Sequence, residues 1–224
     1  MKKLFIGILI IAIFSTGCSN LNKSQKGAVI GTAAGGAIGG AVGSAAGKVV
    51  LGAIIGATVG GVVGAVIGND MDKQAEEMKK NIPDAKVVRV GEGIVVEFSS
   101  KVLFGFDQAS LSGTAKNSLD KLVDVLQKYP DTDIEIQGHT DNRGTAKYNL
   151  DLSRRRASSV SGYLSANNIK SSRLNIKGFG EAEPKYTNST ENGQEQNRRV
   201  EFLISANEKM KADAAKEAAK NGGK

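Results

Sequence analysis

The stretch "TDIEIQGHTDNRGTAKYNLDLSRRRASSVSGYL", Thr132 to Leu164, decides the fold. It opens on "TDIEIQGHT", which alternates in the period of a half-buried strand. After a loop containing Gly144, "DLSRRRASSVSGYLSANN" sets Ala157, Val160 and Leu164 at helical spacing, so a helix follows the strand. Upstream, "SLSGTAKNSLDKLVDVLQKYP" places Ala115, Leu119, Leu122, Val123 and Leu126 on one helical face, with Pro130 closing the element. Before that, "KVVRVGEGIVVEFSSKVLF" is rich in Val, Ile and Phe and reads as one or two strands. Downstream, "RLNIKGFG" gives another strand, and "RRVEFLIS" a last one after a polar loop. The order is βαβαβ plus a final strand. It predicts an α+β domain over residues 84–206, with helices packed on one face of a mixed sheet. The remaining tail, residues 207–224, is helix-prone but wholly polar, and is expected to fray.

The chain begins as an exported protein does. "MKKLFIGILIIAIFSTGC" carries Lys2 and Lys3, an apolar run from Leu4 to Phe14, and small residues before Cys18. That run is too short to cross a hydrocarbon core as a helix, which needs roughly 20 residues. Residues 1–17 therefore read as a signal peptide. Ser15-Thr16-Gly17-Cys18 resembles a bacterial lipobox, which implies cleavage before Cys18 and lipidation of its thiol, with Ser15 standing where such motifs usually carry leucine. Acyl chains at about 0.8 kcal/mol per buried methylene would hold residue 18, and the linker over 18–26, on a membrane. Ser19 rather than aspartate follows the cysteine, which favours the outer membrane, with the C-terminal domain in the periplasm.

Between residues 27 and 68, glycines recur every fourth position at 27, 31, 35, 39, 43 and 47, and again at 52, 56, 60, 64 and 68. A four-residue step winds slowly around a helix and leaves a strip of small residues along one face, along which two backbones can approach closely. In water each glycine costs a helix about 1 kcal/mol relative to alanine, so a helix here needs something packed against it. Broken near Lys48, the ladder makes two bilayer-length arms. It resembles the glycine-zipper segments of bacterial envelope proteins, which implies a membrane-associated helical hairpin or a homo-oligomer; a flexible low-complexity linker is the alternative. "NDMDKQAEEMKKNIPD" follows as a charged helical connector over 69–83, with Asp70 as its start signal and Pro83 as its stop.

Composition narrows the chemistry. The net charge is +7, which favours anionic surfaces, but no basic patch is interleaved with aromatics and a signal peptide removes the chain from the cytoplasm, so nucleic acid is not an expected partner. One cysteine and one histidine exclude an intrachain disulfide and cannot supply a clustered metal-ligand set, and no cofactor is expected. No serine sits in a nucleophile elbow, and Asp107 with Asp141 are the sole carboxylate pair that a glycosidase reading could use, so the chain is not expected to be an enzyme.

Taken together, "FGFDQASL", "IQGHTDNRGTAKYNLDLSRRRASSVSGYL", "IKGFGEAEP" and "NRRVEFLI" resemble the OmpA-like peptidoglycan-binding domain family in order and spacing. The resemblance implies a periplasmic domain that grips the diaminopimelate side group of the peptidoglycan stem without chemical turnover, and so tethers the membrane to the wall. The residues agree with that. Diaminopimelate ends in an ammonium and a carboxylate on one carbon, a zwitterion that asks for an anion and a cation at fixed separation. Asp141, where the strand ends, would take the ammonium, and Arg156, fifteen residues on, would take the carboxylate with its planar fork. Backbone N–H groups at the start of "DLSRRRA" would add to the carboxylate site. The family pattern implies walls from Phe106, Asp107 and Leu152, a loop held in shape by Thr140 and Asn149, and a closing motif at Asn197 to Arg199. Arg154 and Arg155 read as a solvated basic face, His139 as a structural strand-end residue, and Phe104 as core.

Overall fold

A computed structural model describes residues 61–105 and 107–222 of the chain. Cys18, the ladder up to Gly60, and Phe106 lie outside the described residues. The elements run α1 (Val62–Asn81), β1 (Lys86–Val90), β2 (Gly93–Ser99), a one-turn α2 (Ser100–Leu103), α3 (Gly113–Lys128), β3 (Thr132–His139), α4 (Ala146–Ala166), β4 (Leu174–Gly180), α5 (Glu191–Asn197), β5 (Arg199–Ala206) and α6 (Glu208–Gly222). A short 3-10 turn, Ser171–Arg173, leads into β4.

The five strands form one mixed sheet in the order β1-β2-β5-β3-β4. Only the β3–β4 pair is parallel, joined by the α4 crossover; the other pairs are antiparallel. Because side chains alternate across a strand, the register puts Ile94, Val96 and Phe98 of β2, Val200, Phe202 and Ile204 of β5, and Ile134 and Ile136 of β3 on one face. All eight are buried, and the core helices lie over them. This is the α+β arrangement that the strand and helix periods imply.

The expected charged connector is part of this core. α1 begins at Val62 rather than at Asp70, and Gly61 provides its N-terminal flank. Ile67, Met71, Ala75 and Met78 recur at steps of four, four and three, one face of a helix, and all are 0% exposed. Arg89 on β1 holds the middle of α1: its Nε pairs with Asp72 Oδ1 at 2.7 Å, and its Nη2 donates to Gly68 O at 3.4 Å. The polar tail likewise forms a helix, α6, which packs along α1 with Ala214 4% exposed. Its single buried face is too narrow to stand out in a sequence dominated by Lys, Glu and Ala. Among the described residues, no helix is long and apolar enough to cross a membrane.

Two glycines set the distance between α4 and the sheet. A Cβ on Gly138 of β3 would lie 2.2 Å from Ser153 O, and one on Gly178 of β4 would lie 2.3 Å from Arg154 Cγ. Any side chain there would push α4 away. The seat is completed by Ser153 Oγ, which accepts a 2.9 Å bond from Gly180 N and donates to Leu150 O at 2.8 Å. At the far end of the sheet, the buried Arg173 caps the C-terminus of α3. Its Nη1 donates to Leu126 O at 3.0 Å, its Nη2 to Tyr129 O at 3.0 Å, and its Nε to Thr132 O at 2.7 Å.

Candidate functional site

A pocket of about 500 Å³ opens where β3 ends, between α4, the segment after α2 and the start of β5. Its lining includes Asp141, Arg156, Asp107, Leu152, Thr140 and Asn149, so six of the seven side chains singled out in the sequence share one cavity. The seventh, Phe106, lies outside the described residues.

Asp141 stands two residues beyond the end of β3 and is 5% exposed. Its Oδ1 accepts from Arg143 N at 3.0 Å, an Asx turn that starts the loop. Its Oδ2 is held by Arg198 Nη1, and Arg143 Nε stands 4.0 Å away. Thr140 Oγ1 donates to Asp141 O at 2.8 Å, and Asn149 Nδ2 donates to the same carbonyl at 3.3 Å. Thr140 N is bonded to Gly180 O at 2.9 Å. Thr140 and Asn149 thus fix the backbone that aims the Asp141 carboxylate. Gly144, at φ 100, turns the chain into α4.

α4 starts at Ala146, not near Asp151, because Thr145 caps it: the hydroxyl accepts from Tyr148 N at 3.2 Å. The N–H groups around Asp151 are therefore spent inside the helix and do not face a ligand carboxylate, which corrects that part of the sequence reading. Arg156 lies about three turns in. Tyr148, Leu152 and Arg156, spaced by four, form one stripe that faces the pocket.

Arg156 is 5% exposed and carries its charge between two groups that do not neutralise it. Its Nε donates to Gln108 O at 2.9 Å, and its Cζ lies 5.1 Å from the centre of the Phe104 ring. Among the described residues no carboxylate comes within 4.0 Å of it, and its side-chain bond runs from Nε and leaves both Nη groups without a protein acceptor. Burial pulls the Arg156 pKa down, and the Arg198 charge adds to that, while Asp107, Tyr148 and Asp141 hold it up. A guanidinium stays protonated throughout, so the result is a charged, poorly compensated group turned into a cavity.

Asp107 takes up the left-handed backbone conformation, φ 55, and its carboxylate accepts from Tyr148 OH. Phe104 is 4% exposed and serves both the core and the pocket wall. Arg154 and Arg155 are exposed, as expected for a solvated face. His139 is fully buried and stacks on Phe179 with ring centres 5.2 Å apart, a structural position at the end of β3. Sequence reasoning missed Tyr148, Arg143, Lys101, Glu191 and Glu195, which also line the pocket, and left Arg198 without a specific role. The Tyr148 signal was present as the four-residue step before Leu152; the others arrive from α2, the β3–α4 loop and the segment between β4 and β5, where nothing periodic marks them. No group of acidic, histidine or cysteine side chains suited to a metal occurs among the described residues.

The sequence model of the OmpA family matches residues 103–198, which contain the whole pocket apart from Ser100 and Lys101. A second model, the YMGG-like Gly-zipper, matches residues 1–72. The chain is 35% identical over 115 residues to the outer-membrane lipoprotein YfiB of Pseudomonas aeruginosa, covering 51% of this chain and 68% of that one. It is 31% identical over 136 residues to the peptidoglycan-associated lipoprotein of Brucella melitensis biotype 1, covering 56% and 81%. The chain belongs to the OmpA family. Two solved structures share the fold of this OmpA-family domain. One is the cell wall anchor of the T6SS from Pseudomonas aeruginosa, at 29% identity and a TM-score of 0.53, covering 61% of this chain and 96% of that one. The other is a MotB-like protein from Desulfovibrio vulgaris, at 24% identity and a TM-score of 0.60, covering 64% and 96%. The chain spans 54% of the YiaD lipoprotein of Escherichia coli and 36% of outer membrane porin F of Pseudomonas fluorescens.

Proposed function

We propose that the domain binds the diaminopimelate side group of peptidoglycan stem peptides without turning it over, and that lipidation at Cys18 makes it a tether between the outer membrane and the wall. The observation that carries this reading is Arg156: a buried guanidinium, open to a pocket of about 500 Å³, with no carboxylate within 4.0 Å among the described residues. A buried cation without a close anion is costly, and a ligand carboxylate on its two Nη groups offsets that cost with two charge-assisted bonds. Asp141 takes the ammonium on the same carbon. Asp107 lines the cavity beside them, and Leu152 and Phe104 give the methylene chain an apolar wall. No group in this arrangement is placed to activate a nucleophile. The relatives named as peptidoglycan-associated lipoproteins and the structure named as a cell wall anchor support the wall as the partner.

The test uses the full chain and purified sacculi, with free meso-diaminopimelate as competitor. The wild type is expected to pellet with sacculi and to be released by the competitor, with no soluble muropeptides formed. Arg156→Lys keeps the charge but loses the fork, and Asp141→Asn loses the charge; each should weaken binding about tenfold or more. Wild-type retention of both variants, at unchanged thermal stability, would overturn the pocket reading. In the same series Cys18→Ala should move the chain from the membrane pellet to the soluble fraction, and continued pelleting counts against the lipid anchor.

A further inference from the structure

We infer that Arg198 is a specificity-determining residue of this pocket: its ion pair with Asp141 makes the site accept an ammonium only when a carboxylate accompanies it. The inference rests on the diaminopimelate reading above and concerns what the pocket rejects.

Asp141 is the carboxylate expected to receive the ammonium, yet Arg198 Nη1 already holds its Oδ2, and Arg143 Nε stands 4.0 Å off. Arg143 is in turn 3.8 Å from Glu191, and Lys101 is 3.7 Å from Glu195, so the outer cations have anions of their own. Asp107 accepts from Tyr148. What is left facing the pocket is Asp141, shared by Arg198 and Arg143, and Asp107, whose bond comes from an uncharged phenol, together with Arg156, which has no carboxylate within 4.0 Å among the described residues. A bare amine that reached Asp141 would add a further cation to this group and strip Arg198 of its counter-charge. A zwitterion adds none, and its carboxylate replaces for Arg156 and Arg198 what the ammonium takes from Asp141.

Arg198 cannot simply swing out of the way with its backbone. It lies between Asn197 and Arg199, which are 0% and 1% exposed. Ser100 N donates to Arg198 O at 2.8 Å, and Arg198 N donates to Gln194 O at 3.1 Å. Asn197 locks the loop from inside, accepting from Lys185 N and Tyr186 N at 2.9 Å each and donating to Tyr186 O at 2.8 Å. On the far side of β5, Arg199 Nε is paired with Glu201 Oε1 at 2.6 Å, and Lys185 bridges to Glu97. The guanidinium, one-third exposed, is thus held at the pocket by a buried frame.

The experiment compares two stem tripeptides, L-Ala-γ-D-Glu-meso-diaminopimelate and its lysine counterpart, each amidated at the peptide carboxylate so that the side group alone differs. Binding to the full chain is measured by calorimetry for the wild type, Arg198→Gln and Arg198→Lys. The wild type should prefer the diaminopimelate peptide by about tenfold or more. Arg198→Gln should narrow the preference to about threefold or less by strengthening binding of the lysine peptide, and Arg198→Lys should restore it. A preference unchanged in Arg198→Gln, with diaminopimelate still bound, overturns the role of Arg198 and leaves the pocket reading standing. If Arg198→Gln fails to fold, Arg198→Lys decides: a preference lost despite the retained charge overturns the inference. Binding of neither peptide by the wild type overturns both.

Discussion

Gly138→Ala tests how the site is assembled. The added Cβ would sit 2.2 Å from Ser153 O, a backbone atom in the middle of α4 that no rotamer change can move. Ordinary contact begins near 3.4 Å, so α4 must back away from β3 by about 1.2 Å. Overpacking of this kind costs about 1–3 kcal/mol. Near 2 kcal/mol, the melting temperature should fall by about 4–8 °C. The same retreat carries Arg156 and Leu152 away from Asp141, which β3 holds, so diaminopimelate affinity should fall about tenfold even in the folded fraction. Gly178→Ala meets the same stretch of α4, at 2.3 Å from Arg154 Cγ and 2.8 Å from Arg154 N. Once the helix has retreated, the second Cβ finds room, so the double variant should cost less than the two single costs added. Gly162→Ala is the control: it lies on α4 with nothing within 4 Å of its Cβ, and should be neutral or stabilise by up to about 1 kcal/mol. The measurements are urea unfolding and calorimetric titration. Wild-type stability and affinity in Gly138→Ala would refute the claim that this contact positions the site.

Arg173→Met leaves the carbonyls of Leu126, Tyr129 and Thr132 without their donor and should cost roughly 2–4 kcal/mol in urea unfolding; because Arg173 sits at the opposite end of β3 from the pocket, affinity of the folded protein should not change. Phenol pKa values are raised at Tyr129 by burial first, at Tyr148 by its bond to Asp107 first, and at Tyr163 by its bond to Asp120 first. The fold therefore favours the neutral phenols; their contribution is complete below about pH 10 and is lost as pH rises through the raised native values, so unfolding free energy should decline above pH 10, and less steeply in a Tyr148→Phe, Tyr163→Phe variant. Deleting residues 27–60 should leave diaminopimelate binding and the main unfolding transition intact, whereas extending the deletion to residue 71 removes Ile67 and Met71 from the core and should lower the melting temperature sharply.

What the sequence made legible was whatever repeats. The alternation in "TDIEIQGHT" and the one-sided helix through Leu119, Leu122 and Leu126 each bury a face, and burial leaves a period. α1 buries a face too, at Ile67, Met71, Ala75 and Met78, but its first two turns sit in the glycine ladder and the rest among charges, so the period was split between two compositions. The pocket was half legible. Asp141 follows a strand whose end could be placed, and Leu152 and Arg156 lie on a helix whose existence, though not its start, was readable. Arg198 was not, because its position depends on β5 pairing with both β2 and β3, and on a loop held by Asn197 and Lys185 through bonds that leave no local pattern. The start of α4 was misplaced because Thr145 caps it in the middle of a polar run, where a hydroxyl three residues before Tyr148 does not announce itself.

The burial of α1 bears on how such a chain would carry tension. A pull exerted through the N-terminal segment reaches a helix whose inner side chains are wedged under the sheet, with Arg89 and the α6 helix strapping it in place. Nothing slack intervenes between Gly61 and the hydrophobic interior. A load that reached Gly61 would therefore be passed to the whole domain at once, and the domain would yield by global unfolding, not by paying out α1 alone.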